Sequence, residues 1–329
     1  MTMTLTLTRR LILASAAALA LAAALPAAAQ SDWPNKPVRL VVPFSAGGTT
    51  DVVARLLAQQ LGTLWGQTIV VENRAGAGGN LGVDLVAKAP SDGYTLLLAS
   101  GSITINPHLY KKLPFDTKKD LAPITNVAGG PMLVVVPESS PAKNINDLIA
   151  MAKANPGKLN FGSAGMGSQV HLAAENFADA AKIDITHVPY KGESVGYTDL
   201  IGNQVQLMVG NFAAASALLG NNRLRALAVT GSQRSPQLPD VPTVAESGLP
   251  GFENTGWFGL LAPAGTPPAI LAKVQRDTAK VMADTQMKAR LYVMGMTPVA
   301  NSSADFAKQM DAEMVRWGNV VTNRKLSAN

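Results

Sequence analysis

The chain has 329 residues, with 28 lysines and arginines against 22 aspartates and glutamates, and a formal net charge of +6. It contains no cysteine, which excludes disulfides, thiolate metal sites and cysteine nucleophiles. The basic residues are scattered and are not interleaved with aromatic residues, so the composition does not favour a protein that binds nucleic acid.

The first 29 residues have the pattern of a secretory signal peptide. Arg9 and Arg10 form a basic region, an apolar run follows over 11–25, and residues 27–29 are alanines suited to cleavage. The apolar run is shorter than the ~20 residues that a membrane span needs, so cleavage after Ala29 is favoured over a retained anchor. The sequence therefore predicts a protein exported to the periplasm.

The next section reads as strands that alternate with helices. VRLVVPF (38–44) leads through SAGGT to a helix over 50–61, and TIVVENR (68–74) leads through AGAGG to a helix over 81–89. YTLLLAS (94–100) leads through the turn GSITINP to a helical HLYKKL. Near-continuous apolar strands between helices are typical of a parallel sheet covered on both faces, which predicts an α/β lobe.

A second series of the same kind follows. NVAGGPMLVVVP and LRALAVTGS are long strand patterns, and three shorter units of strand, turn and helix lie between them. A proline-rich connection and two helical patterns complete the chain. If both long strands cross between lobes, the first lobe is discontinuous and comprises 31–127 plus 230–329, and the second lobe comprises 128–229.

Two glycine-rich turns admit functional alternatives. AGAGGNLG imitates a dinucleotide-binding turn, but its glycines miss the G-x-G-x-x-G spacing, so we expect a tight turn and no cofactor. FGSAGMGSQVHLAAE offers Ser163 or Ser168 as a nucleophile, but Phe161 stands where the motif G-x-S-x-G requires glycine. With three histidines in the chain, nothing in the sequence assembles a triad or a metal cluster. An exported serine hydrolase remains the alternative from another class.

Small polar residues collect where four predicted strands end, in VPFSAGGTT, ASGSITINP, NFGSAGMGSQ and MVGNF. Ligands of open α/β sheets bind beyond the carboxyl ends of strands. Backbone N–H groups and helix N-termini there can hold a carboxylate without an arginine. The competing interpretation is that Thr49, Thr50, Ser163 and Ser168 only cap helices, and that Asp51 caps its helix or tethers the turn.

Seven stretches of the chain, taken in order, resemble the Bug-type solute-binding proteins of tripartite tricarboxylate transporters. They are VPFSAGGTTDVVARLLAQQL, VVENRAGAGGNLG, PSDGYTLLLASGSITINP, NFGSAGMGSQVHLAAENF, HVPYKGESVGYTDLIGNQVQLM, LRALAVTGSQRSPQLPDVPTVAESG and GWFGLLAPAGTPPAIL. The resemblance implies a type II periplasmic binding protein, in which two α/β lobes joined by two crossing strands close over a small carboxylate. It also implies a monomer that delivers the ligand to membrane permease subunits, with no reaction and no cofactor. A sensor that reports to a membrane signalling partner is the alternative within the same fold.

In that family the turn after the first strand grips one ligand carboxylate, largely through backbone N–H groups and bridging waters. The resemblance implicates these residues of the first lobe: Phe44, Ser45, Gly47, Gly48, Thr49, Asp51, Ala75, Gly76, Gly79, Ser100 and Asn106. It implicates these residues of the second lobe: Ser163, Ala164, Gly165, Gly167, Ser168, Tyr190, Lys191 and Asn211.

Two departures from the family pattern bear on the ligand. Ser45-Ala46 replaces a diproline, and Gly210 stands where the family often has an acidic residue. The second change predicts a roomier pocket with one carboxylate fewer, in which a ligand ammonium would be costly to bury. The resulting hypothesis is a mono- or dicarboxylate without an amino group, aromatic acids included. Glu193 is the residue that would restore the charge.

Overall fold

The computed structural model describes residues 33–323 and 325–328, so the predicted signal peptide lies outside the described residues. Residues Pro37–Asn329 form one compact unit. Within the described part of the chain, no helix combines the length and the apolar character needed to span a membrane.

Ten strands form the sheet. They are β1 (Val38–Val42), β2 (Ile69–Asn73), β3 (Thr95–Ser100), β4 (Leu121–Pro137), β5 (Asn160–Ser163), β6 (Thr186–Pro189), β7 (Leu207–Asn211), β8 (Leu224–Val229), β9 (Thr255–Pro263) and β10 (Thr297–Pro298). Their order across the sheet is β2-β1-β3-β9-β4-β7-β5-β6, and β8 and β10 also pair with β4. β1 pairs in parallel with β2 and β3, and β5 pairs in parallel with β6 and β7, as their apolar sequences predict.

Within residues 33–323 and 325–328, ten α-helices and one 3₁₀ turn, Ala77–Gly79, pack against this sheet. The helices are α1 (Thr49–Trp65), α2 (Asn80–Ala87), α3 (Ser102–Leu109), α4 (Ile145–Ala154), α5 (Gln169–Ala181), α6 (Glu193–Ile201), α7 (Phe212–Gly220), α8 (Pro268–Ala283), α9 (Thr285–Val293) and α10 (Ser303–Asn323). α1 buries a stripe that includes Val53, Leu57 and Leu61, and it ends at Gly66 in the left-handed conformation.

One predicted turn is wrong, because GSITINP forms most of α3. Pro107 lies inside this helix and lacks the N–H that would bond the carbonyl of Ile103. The hydroxyl of Thr117 donates to that carbonyl at 3.4 Å and satisfies it. The helix ends at Leu109, so within the predicted helical stretch HLYKKL only His108 and Leu109 are helical.

β4 joins two halves of the sheet. Its residues from Leu121 to Pro131 pair with β9, and those from Met132 to Pro137 pair with β7 and β8. We call β1, β2, β3, β9, β10 and the first part of β4 the first lobe, together with α1 to α3 and α8 to α10. The second lobe comprises the rest of β4, β5 to β8, and α4 to α7.

The segment after β8 packs against the second lobe. β8 pairs only with the second-lobe part of β4. Val244 and Phe252 then pack in the same buried cluster as Phe161 and Phe177 of the second lobe. The proline-rich segment 230–252 therefore packs against the second lobe, and the next strand, β9, pairs with β3 and with the first-lobe part of β4.

Candidate functional site

A small cavity lies between the lobes at the N-terminus of α1. From the first lobe it is lined by Phe44, Gly48, Thr49, Thr50 and Ser100, and from the second by Ala164, Ser168, Gln169, Val170, Glu193 and Asn211. The volume that the centre of a water molecule can occupy in this cavity is about 10 Å³, which is enough for a single water. In this conformation the lobes are closed on one another. A roomier groove of about 620 Å³ along α1 and β2 shares no lining residue with the cavity.

The turn before α1 is held by Asp51. The carboxylate of Asp51 accepts the N–H of Gly47 at 2.9 Å, the Nε of Arg55 at 2.9 Å and the Nδ2 of Asn73 at 2.9 Å. Burial acts to raise the pKa of Asp51, but the hydrogen bonds from Arg55, Gly47 and Asn73 lower it below its ordinary value. Asp51 therefore tethers the turn as an anion, and the Gly47 N–H, expected to be open to a ligand, is already bonded.

Glu193 places a carboxylate at the N-terminus of α1. Its Oε1 accepts the N–H of Asn211 at 2.8 Å and the Nδ2 of Asn211 at 3.0 Å. Its Oε2 accepts the N–H of Thr49, on the other lobe, at 3.3 Å. Glu193 is 6% exposed, and its burial raises the pKa of the carboxyl although these hydrogen bonds act to lower it. The hydroxyl of Thr49 is fully buried, lines the cavity and lies beside the carboxyl group of Glu193, whose pKa its hydrogen bond acts to lower.

The room expected at Gly210 is not present, and Glu193, the residue named as able to restore the charge, lies beside it. The hydroxyl of Tyr197 occupies the place that a Cβ at Gly210 would take, so the pocket gains no room there. The Oε1 of Glu193 lies 3.4 Å from that same Cβ position, so a carboxylate is present beside it. Gly210 therefore gives no argument against an amino group in the ligand, because the carboxyl group of Glu193 lies beside it.

Ser45, which replaces the first proline of the family turn, bridges the lobes. Its N–H donates to the carbonyl of Lys191 at 3.2 Å, and its hydroxyl lies 3.1 Å from the hydroxyl of Ser194. Ser194 in turn donates to the carbonyl of Ala46 at 2.8 Å. A proline at position 45 has no N–H, so the first of these contacts depends on the departure from the family pattern.

Gln169, the first residue of α5, also bridges the lobes. Its Oε1 accepts the N–H of Gly101 at 3.3 Å and the N–H of Trp257 at 3.3 Å, both on the first lobe. Its Nε2 lies 3.5 Å from the Oδ1 of Asn211. The sequence analysis missed Gln169, although its position directly after a glycine turn and a helix cap is a usable signal.

The loop after β2 packs closely against backbone atoms of the second lobe. The carbonyl of Met166 accepts the hydroxyl of Tyr110 at 2.9 Å and lies where a Cβ at Gly78 would be. Asn106 supports this loop from α3, since its Nδ2 donates to the carbonyl of Gly78 at 3.2 Å and to Asn80 at 2.7 Å. Asn106 therefore acts on the loop and does not line the cavity.

A serine and a histidine lie close together beneath the cavity. The hydroxyl of Ser163 is 2.6 Å from the Nε2 of His187, a contact that the sequence did not reveal. Burial, followed by the neighbouring His171, lowers the pKa of His187 to about 3. The Nδ1 of His187 has no partner within the described residues, and Ser163 is buried and does not line the cavity. The pair lacks the carboxylate that orients a catalytic histidine and the pKa near 7 that a general base needs.

The predicted residues divide into two groups by position. Seven line the cavity: Phe44, Gly48, Thr49, Ser100, Ala164, Ser168 and Asn211. The remaining twelve lie outside its lining: Ser45, Gly47, Asp51, Ala75, Gly76, Gly79, Asn106, Ser163, Gly165, Gly167, Tyr190 and Lys191. Thr50, Gln169, Val170 and Glu193 line the cavity without having been predicted as ligand-binding residues.

Known proteins resemble this chain in both sequence and architecture. Residues 53–326 match the family model described as the tripartite tricarboxylate transporter family receptor. The structure of R. palustris Rpa4515 with adipate is 37% identical with a TM-score of 0.87, over 90% of this chain and 99% of that chain. That of the periplasmic binding protein BugD is 33% identical with a TM-score of 0.87, over 90% and 100%. MatC (Rpa3494) from Rhodopseudomonas palustris with bound malate is 32% identical with a TM-score of 0.84, over 88% and 100%.

These matches extend over both lobes. The family model covers the chain from within α1 to α10 and begins after the cavity residues Phe44, Gly48, Thr49 and Thr50, and the solved structures reproduce the two-lobe architecture over 90% of the chain. The chain therefore belongs to the receptor family of the tripartite tricarboxylate transporters, as a Bug-type periplasmic binding protein.

Proposed function

We propose that this protein is a periplasmic receptor that binds a small carboxylate between its lobes and delivers it to the membrane permease subunits of a tripartite tricarboxylate transporter. The signal-peptide pattern of the first 29 residues supports the periplasmic location. The receptor acts as a monomer and carries out no reaction on its ligand. A sensor that reports to a membrane partner would use the same binding step.

The N-terminus of α1 is the observation that carries this proposal. The first N–H groups of a helix have no intrahelical acceptor, and the partial positive charge there favours an anion. In the closed conformation a carboxylate, that of Glu193, already accepts the N–H of Thr49. The buried Thr49 hydroxyl lies beside it in the cavity wall and supplies a further donor for an incoming carboxylate.

The ligand class follows from the relatives and not from Gly210. The family members in the two ligand-bound structures hold adipate and malate, both small dicarboxylates without an amino group. We propose ligands of that kind for this receptor. The cavity now has room for one water, so binding requires the lobes to open, and closure then follows from the ligand's higher affinity for the closed form.

A thermal-shift screen tests the proposal. The protein from residue 30 onward is heated with adipate, malate, succinate, citrate, nicotinate, benzoate, phthalate, aspartate and glutamate. A ligand at a hundred times its dissociation constant adds ~2.7 kcal/mol of stability, which is an easily measured shift. No shift with any of the nine, in a protein that unfolds cooperatively, would refute the carboxylate assignment.

Gly48→Asp ties binding to this site. A Cβ at Gly48 meets only ordinary contacts, the nearest at 3.5 Å, and Asp is a preferred helix N-cap, so the variant should fold. Its carboxylate would lie beside Glu193 at the edge of the cavity and repel a ligand anion. We expect Gly48→Asp to lose the thermal shift and the matched control Gly48→Ala to keep most of it.

The hydrolase alternative has one observation in its favour, the contact between Ser163 and His187. A protonation equilibrium near pH 3 leaves this histidine a weak base at neutral pH. We therefore expect no release of nitrophenol from p-nitrophenyl acetate above the rate of a Ser163→Ala variant. Turnover that Ser163→Ala abolishes would establish the hydrolase instead.

A further inference from the structure

We infer that Glu193 takes up a proton when the receptor closes over a ligand carboxylate, so that capture of the ligand is coupled to protonation. The inference rests on the proposed function and assigns Glu193 as a specificity-determining residue of the same site. It concerns ligands whose carboxylate binds at the N-terminus of α1.

The two oxygens of Glu193 have different partners. Oε1 is held within the second lobe by the N–H and the side-chain amide of Asn211, at 2.8 and 3.0 Å. Oε2 reaches across to the N–H of Thr49 at 3.3 Å, the longer contact. When the lobes separate, the Thr49 contact is the one that breaks, and Asn211 keeps the carboxylate on the second lobe.

Opening therefore exposes the end of α1 to a ligand while Glu193 stays in place opposite it. On closure, the ligand carboxylate occupies the position at Thr49 that the Oε2 of Glu193 holds in this structure. Two carboxylates then face each other inside a buried cavity. Like charges at such a distance cannot both remain ionised, and the pair retains one proton.

Groups on and before α6 do not supply a compensating cation. Tyr197, one turn along the helix, is fully buried, and its hydroxyl has no partner among the described residues. Burial, and then the charge of Glu193, raises the pKa of Tyr197 well above its ordinary value, so it stays neutral. Lys191 lies two residues before Glu193, is exposed, and forms no ion pair with it within the described ranges.

The neighbouring elements do not supply one either. On α1, Arg55 is paired with Asp51 at 2.9 Å, and that pair is already neutral as a unit. On α5, His171 stacks on His187 at 4.0 Å between ring centroids, and its Nε2 lies 3.6 Å from Glu175. β7 contributes Asn211, which does not titrate. A proton is therefore the available means of neutralising Glu193 beside a ligand anion.

The count of protons taken up on binding measures this directly. Titration calorimetry of the tightest-binding carboxylate of the panel is run at pH 7.5 in phosphate and in Tris, whose ionisation enthalpies differ. We expect uptake approaching one proton per ligand, and an affinity that falls up to tenfold for each rise of one pH unit, since uptake on binding weakens binding as pH rises.

Glu193→Gln removes the titrating group and keeps the shape of the side chain. In this variant we expect no proton uptake and an affinity that is independent of pH between 6.5 and 8.5. Glu253→Gln, which changes an exposed glutamate, is the matched control and should behave as the wild type. If Glu193→Gln does not fold, the proton count of the wild-type protein still decides the question.

The outcomes separate the inference from the proposed function. Binding without proton uptake would overturn the inference and leave the receptor assignment intact. That result would mean either that Glu193 swings out of the cavity or that a ligand ammonium, as in aspartate, pairs with it. Failure of every carboxylate to bind would overturn the proposed function itself.

Discussion

Replacing Ser45 by proline, the residue that the resemblance to the family implies there, removes two contacts between the lobes. The lost contacts are the N–H bond to the Lys191 carbonyl at 3.2 Å and the hydroxyl contact with Ser194 at 3.1 Å. Each neutral hydrogen bond contributes about 1 kcal/mol net, so the closed form loses about 2 kcal/mol. Since 1.4 kcal/mol is a factor of ten, Ser45→Pro should bind its ligand about 30-fold more weakly. Ser45→Ala, which loses only the hydroxyl contact, should bind about 5-fold more weakly.

Calorimetry with the tightest-binding carboxylate measures these affinities, and small-angle scattering reports the balance of open and closed forms. A double-mutant cycle of Ser45→Ala and Ser194→Ala isolates the contact between the two hydroxyls. Ser45→Pro with wild-type affinity and a wild-type scattering curve would refute the view that these contacts stabilise closure.

Three further substitutions test single features of the structure. Gly78→Ala should hold the lobes apart and weaken ligand binding, because the new Cβ would clash with a carbonyl of the second lobe. Gly66→Ala is the control: the two glycines have nearly the same φ, +63° and +62°, but Gly66 has open space around it. Gly66→Ala should show only the backbone strain of ~1–2 kcal/mol and normal binding by calorimetry. Gly210→Ala should lower the free energy of unfolding by about 1–3 kcal/mol through overpacking, and adding Tyr197→Phe should recover most of that loss in urea titrations. Folding lowers the pKa of His187 from 6.5 to about 3, so between these pH values the unfolded chain binds a proton at this residue more readily than the folded protein does. The free energy of unfolding should therefore fall as pH drops from 6.5 towards 3. His187→Gln should flatten that part of a plot of melting temperature against pH, and an unchanged slope would contradict the assignment.

The α/β character of the chain and the first three strands were predictable from sequence. The apolar runs of β1 and β3 are buried on both faces, and burial of that kind is a local property of the pattern. α3 was missed because Pro107 signals a break, and the compensating hydroxyl of Thr117 comes from a residue outside the local segment.

The cavity shows where prediction from sequence stops. The turn before α1 could be identified from its glycines, and Gly48 and Thr49 do line the cavity. The role of Gly210 could not be read correctly, because it depends on Tyr197 and Glu193, which reach the same point from another helix. Contacts of this kind, between residues on different elements, produce no recognisable spacing pattern in the sequence.

β4 also has a consequence for how the protein unfolds. Its 17 residues supply a central strand to both halves of the sheet, with β9 on one part and β7 and β8 on the other. Loss of either half strips hydrogen-bond partners and buried neighbours from a strand that the other half needs. The two lobes should therefore melt together in one cooperative transition, and a ligand that touches a few residues of the cleft raises the melting temperature of the whole molecule.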